Sequence, residues 1–95
     1  MSLKQTLRDF AGALTSATFA PDDYPSWGYV TYESNMADLK QLWSEIRPRL
    51  KNSADKCEFI DHKLQEAFAA FDLGEKDKGL DAIMAIYNLN VKQLR

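Results

Sequence analysis

Chemistry at a protein site needs particular side chains at particular spacings, and this chain offers few. Its single histidine, His62, has Glu58 four residues earlier on the polar side of the same helical pattern. A Glu and a His one turn apart can share a metal ion, but helical carboxylate centres use Glu-x-x-His pairs on several helices. One His at that spacing is expected to be a solvated side chain in a weak ion pair. The single cysteine, Cys57, has Lys56 and a helix start beside it, and both lower a thiol pKa. It nonetheless falls in an apolar stripe, which points to a buried, inert thiol. Gly74-Glu-Lys-Asp-Lys-Gly79 has glycines and lysines but no preceding strand pattern, so it reads as a turn between helices. The sequence shows no catalytic serine signature and no dinucleotide fingerprint. The expectation is a protein that is not an enzyme and needs neither cofactor nor metal.

One cluster suits phosphates: Arg47, Arg49 and Lys51, with Lys56 and Lys63 further on. With the tight turn at Asn52-Ser53, the flanking helices have the outline of a helix-turn-helix. A reading helix needs basic and polar side chains in its first turns. Asp55, Glu58 and Asp61 occupy that region and repel DNA, which argues against a nucleic-acid partner.

Recognition of a protein is better supported. Five of the eleven aromatic residues, Phe19, Tyr24, Trp27, Tyr29 and Tyr32, fall in one short stretch with the punctuation of a loop. Trp and Tyr carry large apolar area with a polar handle and are enriched among interface hot spots. Tyr24, Trp27, Tyr29 and Tyr32 are the candidate anchors, and Asp22, Asp23 and Glu33 form an acidic rim that would steer a partner. The plainer alternative is a connection folded over the helices to complete a small core. The two combine if Trp27 packs inward while the tyrosines face out.

Ninety-five residues make one domain, residues 1–95, that can bury a single core with a margin of about 5–10 kcal/mol. The net charge of -2 mixes both signs, unlike the concentrated basic surface of a nucleic-acid binder. A lone cysteine excludes an internal disulfide and fits a reducing compartment. The amino terminus lacks the apolar run of a signal peptide, and no stretch approaches the ~20 apolar residues that span a bilayer. A soluble, cytoplasmic protein without a membrane partner is expected.

Four helical patterns must position these residues. The first carries Leu3, Leu7, Phe10, Leu14 and Ala17 on one face, with Ser2 as cap and Pro21 beyond its end. The second is expected to begin near Ser34 or Asn35 and to bury Met36, Leu39, Trp43, Ile46 and Leu50. Pro48 should kink it or tighten its last turn. Between these two helices, Tyr29 to Tyr32 has strand-like propensity but no partner strand.

The third helix has Cys57, Ile60, Leu64, Ala67, Phe68 and Phe71 on one face and stops at Gly74. The fourth starts between Glu75 and Gly79 and carries Leu80, Ile83, Met84, Tyr87, Val91 and Leu94. Ala82, Ala85, Ile86 and Leu89 form a second apolar stripe on its other side. That stripe is covered by the bundle, or it forms with Phe59 a candidate oligomer face, Phe59–Ile86–Leu89, for a homodimer. The span from Leu64 to Leu89 resembles a tetratricopeptide hairpin in its turn glycine and in Leu80 and Tyr87. It lacks that motif's Trp and closing Pro and occurs once, so it describes a helical hairpin and not kinship.

The fold expected is all-α: a small four-helix bundle with a long aromatic-rich connection between helices 1 and 2. The leading functional expectation is a small protein–protein interaction module, such as an adaptor, an inhibitor or an immunity- or antitoxin-like factor. A homo-oligomeric structural or regulatory protein and a weak nucleic-acid-associated regulator are the alternatives.

Overall fold

Ser2 opens the first helix. Its hydroxyl accepts a 3.1 Å hydrogen bond from the Gln5 amide, and its carbonyl accepts one of 2.9 Å from Thr6 Oγ1. In the computed structural model, which describes residues 2–94, α1 then runs over Leu3–Ser16. Its inward face is Thr6, Leu7, Phe10, Ala11 and Leu14, and a 3-10 turn at Ala17–Phe19 ends it before Pro21. Burying side chains the size of Leu or Phe contributes about 1.5–3 kcal/mol each, which is why this stripe fixes the helix's rotation.

The second helix, α2, spans Tyr32–Ile46 and starts ahead of the expected position. Thr31 is the cap: its Oγ1 accepts from the Ser34 amide at 3.1 Å, and Ser34 Oγ accepts from the Thr31 amide at 2.9 Å. This reciprocal box satisfies two backbone donors that a helix start otherwise leaves open. Residues 29–31 therefore form no strand, and none occurs among the described residues. At the far end Pro48 tightens the chain into a 3-10 turn, Arg47–Arg49, as its missing amide requires.

Helix α3 covers Ala54–Asp72 and α4 covers Lys76–Tyr87. Between them Gly74 adopts φ 76°, a left-handed conformation that glycine takes without a Cβ penalty. The Gly74 amide donates to the Phe71 carbonyl at 3.1 Å and the Glu75 amide to the Ala70 carbonyl at 2.8 Å. Those two bonds are a Schellman closure, and they fold α4 back along α3. Gly79 permits the close approach: a Cβ there would stand 2.3 Å from Cε1 of Phe71. The fourth helix ends at Tyr87 instead of continuing to Leu94. Asn90 turns left-handed at φ 57°, and a 3-10 turn at Val91–Gln93 returns Val91 and Leu94 to the core against α1.

The architecture is a four-helix all-α bundle made of two hairpins, α1–α2 and α3–α4. α4 also meets α1, so it is packed on two sides. That arrangement draws the core from both stripes: Ile83 of the first and Ala82 and Ile86 of the second are buried, whereas Met84 and Tyr87 of the first are outside. The hairpins meet across α2 and α3 through long side chains. Trp43, stacked on Phe10 at 5.5 Å, donates its indole N–H to Asp61 Oδ1 at 2.5 Å, and Arg47 Nε donates to Asp61 Oδ2 at 2.7 Å. Lys40 lies 4.7 Å above the Phe68 ring. One end of the bundle holds the α1–α2 loop and the α3–α4 turn. The other holds the start of α1, the segment after α2 and the C-terminal turn.

Candidate functional site

The loop from Ala20 to Thr31 is fastened at both ends and free at its tip. Tyr24 folds back on its first half. Its hydroxyl donates to Asn35 Oδ1 at 2.6 Å, and Asn35 Nδ2 donates in turn to the Ala13 carbonyl at 3.0 Å. Asn35 is 1% exposed, so both bonds are made inside the protein, where an unmade one is costly. The Tyr24 ring also lies 6.4 Å from that of Phe19. Lys76, at the start of α4, forms ion pairs with both Asp22 and Asp23, which ties the loop to the second hairpin.

The second half is fastened by Tyr32, in the first turn of α2. Its ring meets Phe71 edge-on, with centroids 6.1 Å apart and planes at 85°, a favoured aromatic geometry. Its hydroxyl lies 3.4 Å from Asp72 Oδ1. Burial pushes the Tyr24 phenol up to about 12, with the neighbouring Tyr32 adding to it. Tyr32 is raised by burial first and then by the charge of Asp72 and the hydrogen bond to it. Both phenols are therefore neutral donors at physiological pH.

The tip behaves differently. Its turn is closed by the Gly28 amide donating to the Pro25 carbonyl at 3.1 Å. From it Trp27 is 84% exposed and Tyr29 is 100% exposed, with Val30 and Phe19 also partly open. Trp27 therefore does not pack inward as the combined arrangement would have it, and of the tyrosines Tyr29 faces out while Tyr24 and Tyr32 are partly buried. The core was already filled by Phe10 and Trp43, which stack on one another, and Tyr24 had a polar partner within reach where an indole on the tip had none. The expected anchors thus separate into two that hold the loop, Tyr24 and Tyr32, and two that it presents, Trp27 and Tyr29. The acidic rim separates too: Asp22 and Asp23 are engaged with Lys76, while Glu33 is exposed in the first turn of α2, where the helix dipole suits an anion. Val30 continues into an open groove between α1 and α2, of about 580 Å³, floored by Gly12 and Ala13.

Asn35 and Lys76 were not singled out for this site by their spacing. Asn35 had a signal, since it stands one turn before Leu39 on the buried side of α2. Lys76 had none, because its partners lie more than fifty residues away.

The remaining candidates fall elsewhere. His62 pairs with Glu66 at 3.4 Å and not with Glu58, on an exposed face. Among the described residues no three His, Cys, Asp or Glu side chains gather to hold a metal ion. Cys57 is buried; burial pushes its thiol up, against the opposing charge of Arg47. Phe59, Ile86 and Leu89 do not share a surface. Ile86 is 0% exposed in the contact of α4 with the bundle, Leu89 packs partly against the core, and Phe59 is outside beneath the Lys63 ammonium. No described helix is long and apolar enough to cross a membrane. Neither a protein-family model nor a curated protein nor a solved structure matches the chain.

Proposed function

We propose that this chain is a small non-catalytic protein-binding module whose contact surface is the tip of the aromatic loop, with Trp27 and Tyr29 as anchors. The observation that carries the reading is the contrast within one loop. Four residues fasten it internally, yet its largest ring and its most exposed ring both point into solvent. A fastened loop loses little conformational freedom on docking, which improves affinity without added contacts. Each ring offers an apolar payload of about 150–250 Å² to a partner. Glu33 and the outer edge of Asp22 leave the surroundings acidic, so the complementary surface is an apolar pocket with a basic rim. Adaptors, inhibitors and immunity-like factors act by such occupancy. A reducing, cytoplasmic setting belongs to the same proposal and rests on the single unbridged thiol.

The test is capture from host extract with wild type, Trp27→Ala, Tyr29→Ala and the double variant, each checked for thermal unfolding. Hot-spot rings contribute about 2 kcal/mol or more, so each single change should weaken capture about thirtyfold. The melting temperature should stay put, since neither ring is packed. Undiminished capture by the double variant refutes the proposal.

A further inference from the structure

The end of the bundle opposite the aromatic loop carries a second candidate site. An open cleft of about 540 Å³ lies there, and three separate stretches of chain bring cations to it. Lys4 comes from the first turn of α1, Arg49 and Lys51 from the segment after α2, and Lys92 from the C-terminal turn. The amides of Asn52 and Gln93 line it as well, and among the described residues no carboxylate does. Leu3, Leu7 and Leu94 make up its apolar part.

Convergence is the informative point. The local basic run Arg47, Arg49, Lys51 does not survive folding as a unit, because Arg47 turns away to Asp61. Lys4 and Lys92 replace it from the two ends of the sequence. The charges of Lys4, Lys51 and Lys92 gathered in one concavity repel each other and are relieved by a multivalent anion. We propose that this cleft binds a compact ligand carrying two or more adjacent phosphates, either free or as the head group of a larger small molecule.

The chemistry favours phosphate. Lysines supply rotatable charged donors, amides add neutral ones, and a phosphate chain offers several acceptor oxygens within reach of separate stretches at once. A compact ligand is favoured over a long nucleic acid for two reasons. The cations gather in one cleft instead of running along a face, and the protein as a whole carries net charge -2. The site lies the length of α1, about 20 Å at 1.5 Å per residue, from the aromatic loop, so both can be occupied together.

The experiment is isothermal titration of the full chain with inorganic tripolyphosphate, pyrophosphate and orthophosphate at low and at physiological salt. Saturable one-to-one binding of tripolyphosphate is expected, with orthophosphate at least tenfold weaker. Lys4→Gln and Lys92→Gln should each weaken tripolyphosphate about tenfold, the low end of what a charge-assisted hydrogen bond contributes. Lys78→Gln, at the other end of the molecule beside Glu75, should leave binding unchanged. Both substituted lysines in the cleft are exposed, so folding is not at risk. Absence of saturable binding overturns the proposal, as does equal weakening by Lys78→Gln. A nucleoside triphosphate that binds as tightly as tripolyphosphate supports it. A short DNA duplex that binds tighter than both, and loses that affinity in the Lys4 and Lys92 variants, assigns the cleft to nucleic acid and overturns the compact ligand.

Discussion

Glycine to alanine should have opposite effects in two helices of this protein. At Gly79 a Cβ would stand 2.3, 2.6 and 2.7 Å from three atoms of the Phe71 ring, well inside ordinary contact, which begins near 3.4 Å. The ring must therefore move by about 1 Å, and it is not free to do so. Phe71 is buried, and its ring also meets that of Tyr32, which fastens the loop. Overpacking of this kind costs about 1–3 kcal/mol, offset by about 1 kcal/mol of helix propensity gained on losing a glycine. With so short an approach the upper half of that range applies, and the net loss is about 1–2 kcal/mol. At Gly12 the same substitution meets nothing within 4 Å. Only the propensity gain remains, about 0.5–1 kcal/mol of added stability. For a domain of this size 1 kcal/mol moves the melting temperature by roughly 4–8 °C. Gly12→Ala should therefore melt several degrees above wild type and Gly79→Ala several degrees below it, by calorimetry or circular dichroism. Pairing Gly79→Ala with Phe71→Leu should lose less than the sum of the two single changes, because the smaller side chain relieves the collision. A Gly79→Ala protein as stable as Gly12→Ala would show that α4 does not approach α3 this closely.

Three further outcomes follow from the packing. Because the Tyr24 phenol is pushed up to about 12, the unfolded chain loses its proton first. Stability should be whole below the ordinary tyrosine value of 10.0 and fall as pH rises toward about 12; urea midpoints across that window should drop less in Tyr24→Phe than in wild type. Asp61→Ala removes the acceptor of the Trp43 indole and should cost about 1–3 kcal/mol in chemical denaturation, whereas Asp61→Asn keeps an acceptor and should cost much less; equal losses would remove the indole bond from the account. The Cys57 thiol, buried and raised, should react with an aromatic disulfide reagent only as fast as the protein opens, so a rapid reaction in native buffer would contradict its placement.

Much of the fold was readable in the sequence because helix faces repeat at three and four residues. The stripes of α1, α2 and α3 are buried where their spacing put them except at Leu3, Leu50 and Phe68, which are partly buried, and Ser2, Pro48 and Gly74 mark ends by what their backbones can or cannot do. The errors have local physical reasons. Thr31 caps α2 through a serine at the third position in place of the usual Glu or Gln, inside a stretch whose side chains suit a strand. Val91 and Leu94 keep the helical spacing of Tyr87 after the helix has ended, and only the paired Asn88 and Asn90 hint at the left-handed turn. Which residues of α4 face the core depends on α1 and α3 closing over it, and no window within α4 contains that information. The aromatic loop was visible as a composition, but its division into holding and presented rings depends on Asn35, Lys76, Phe71 and Asp72, drawn from three helices. The basic cleft joins the two ends of the chain and has no sequence signature at all.

The two tryptophans occupy opposite surroundings, Trp43 inside beside Phe10 and Asp61, Trp27 outside on the loop. Nature has in effect installed two independent fluorophores. An aqueous quencher reaches only the outer indole, so its shielding reports occupancy of the loop. The inner one stays silent to docking and changes its emission only when the bundle comes apart, so a single unlabelled sample can follow both events on separate channels.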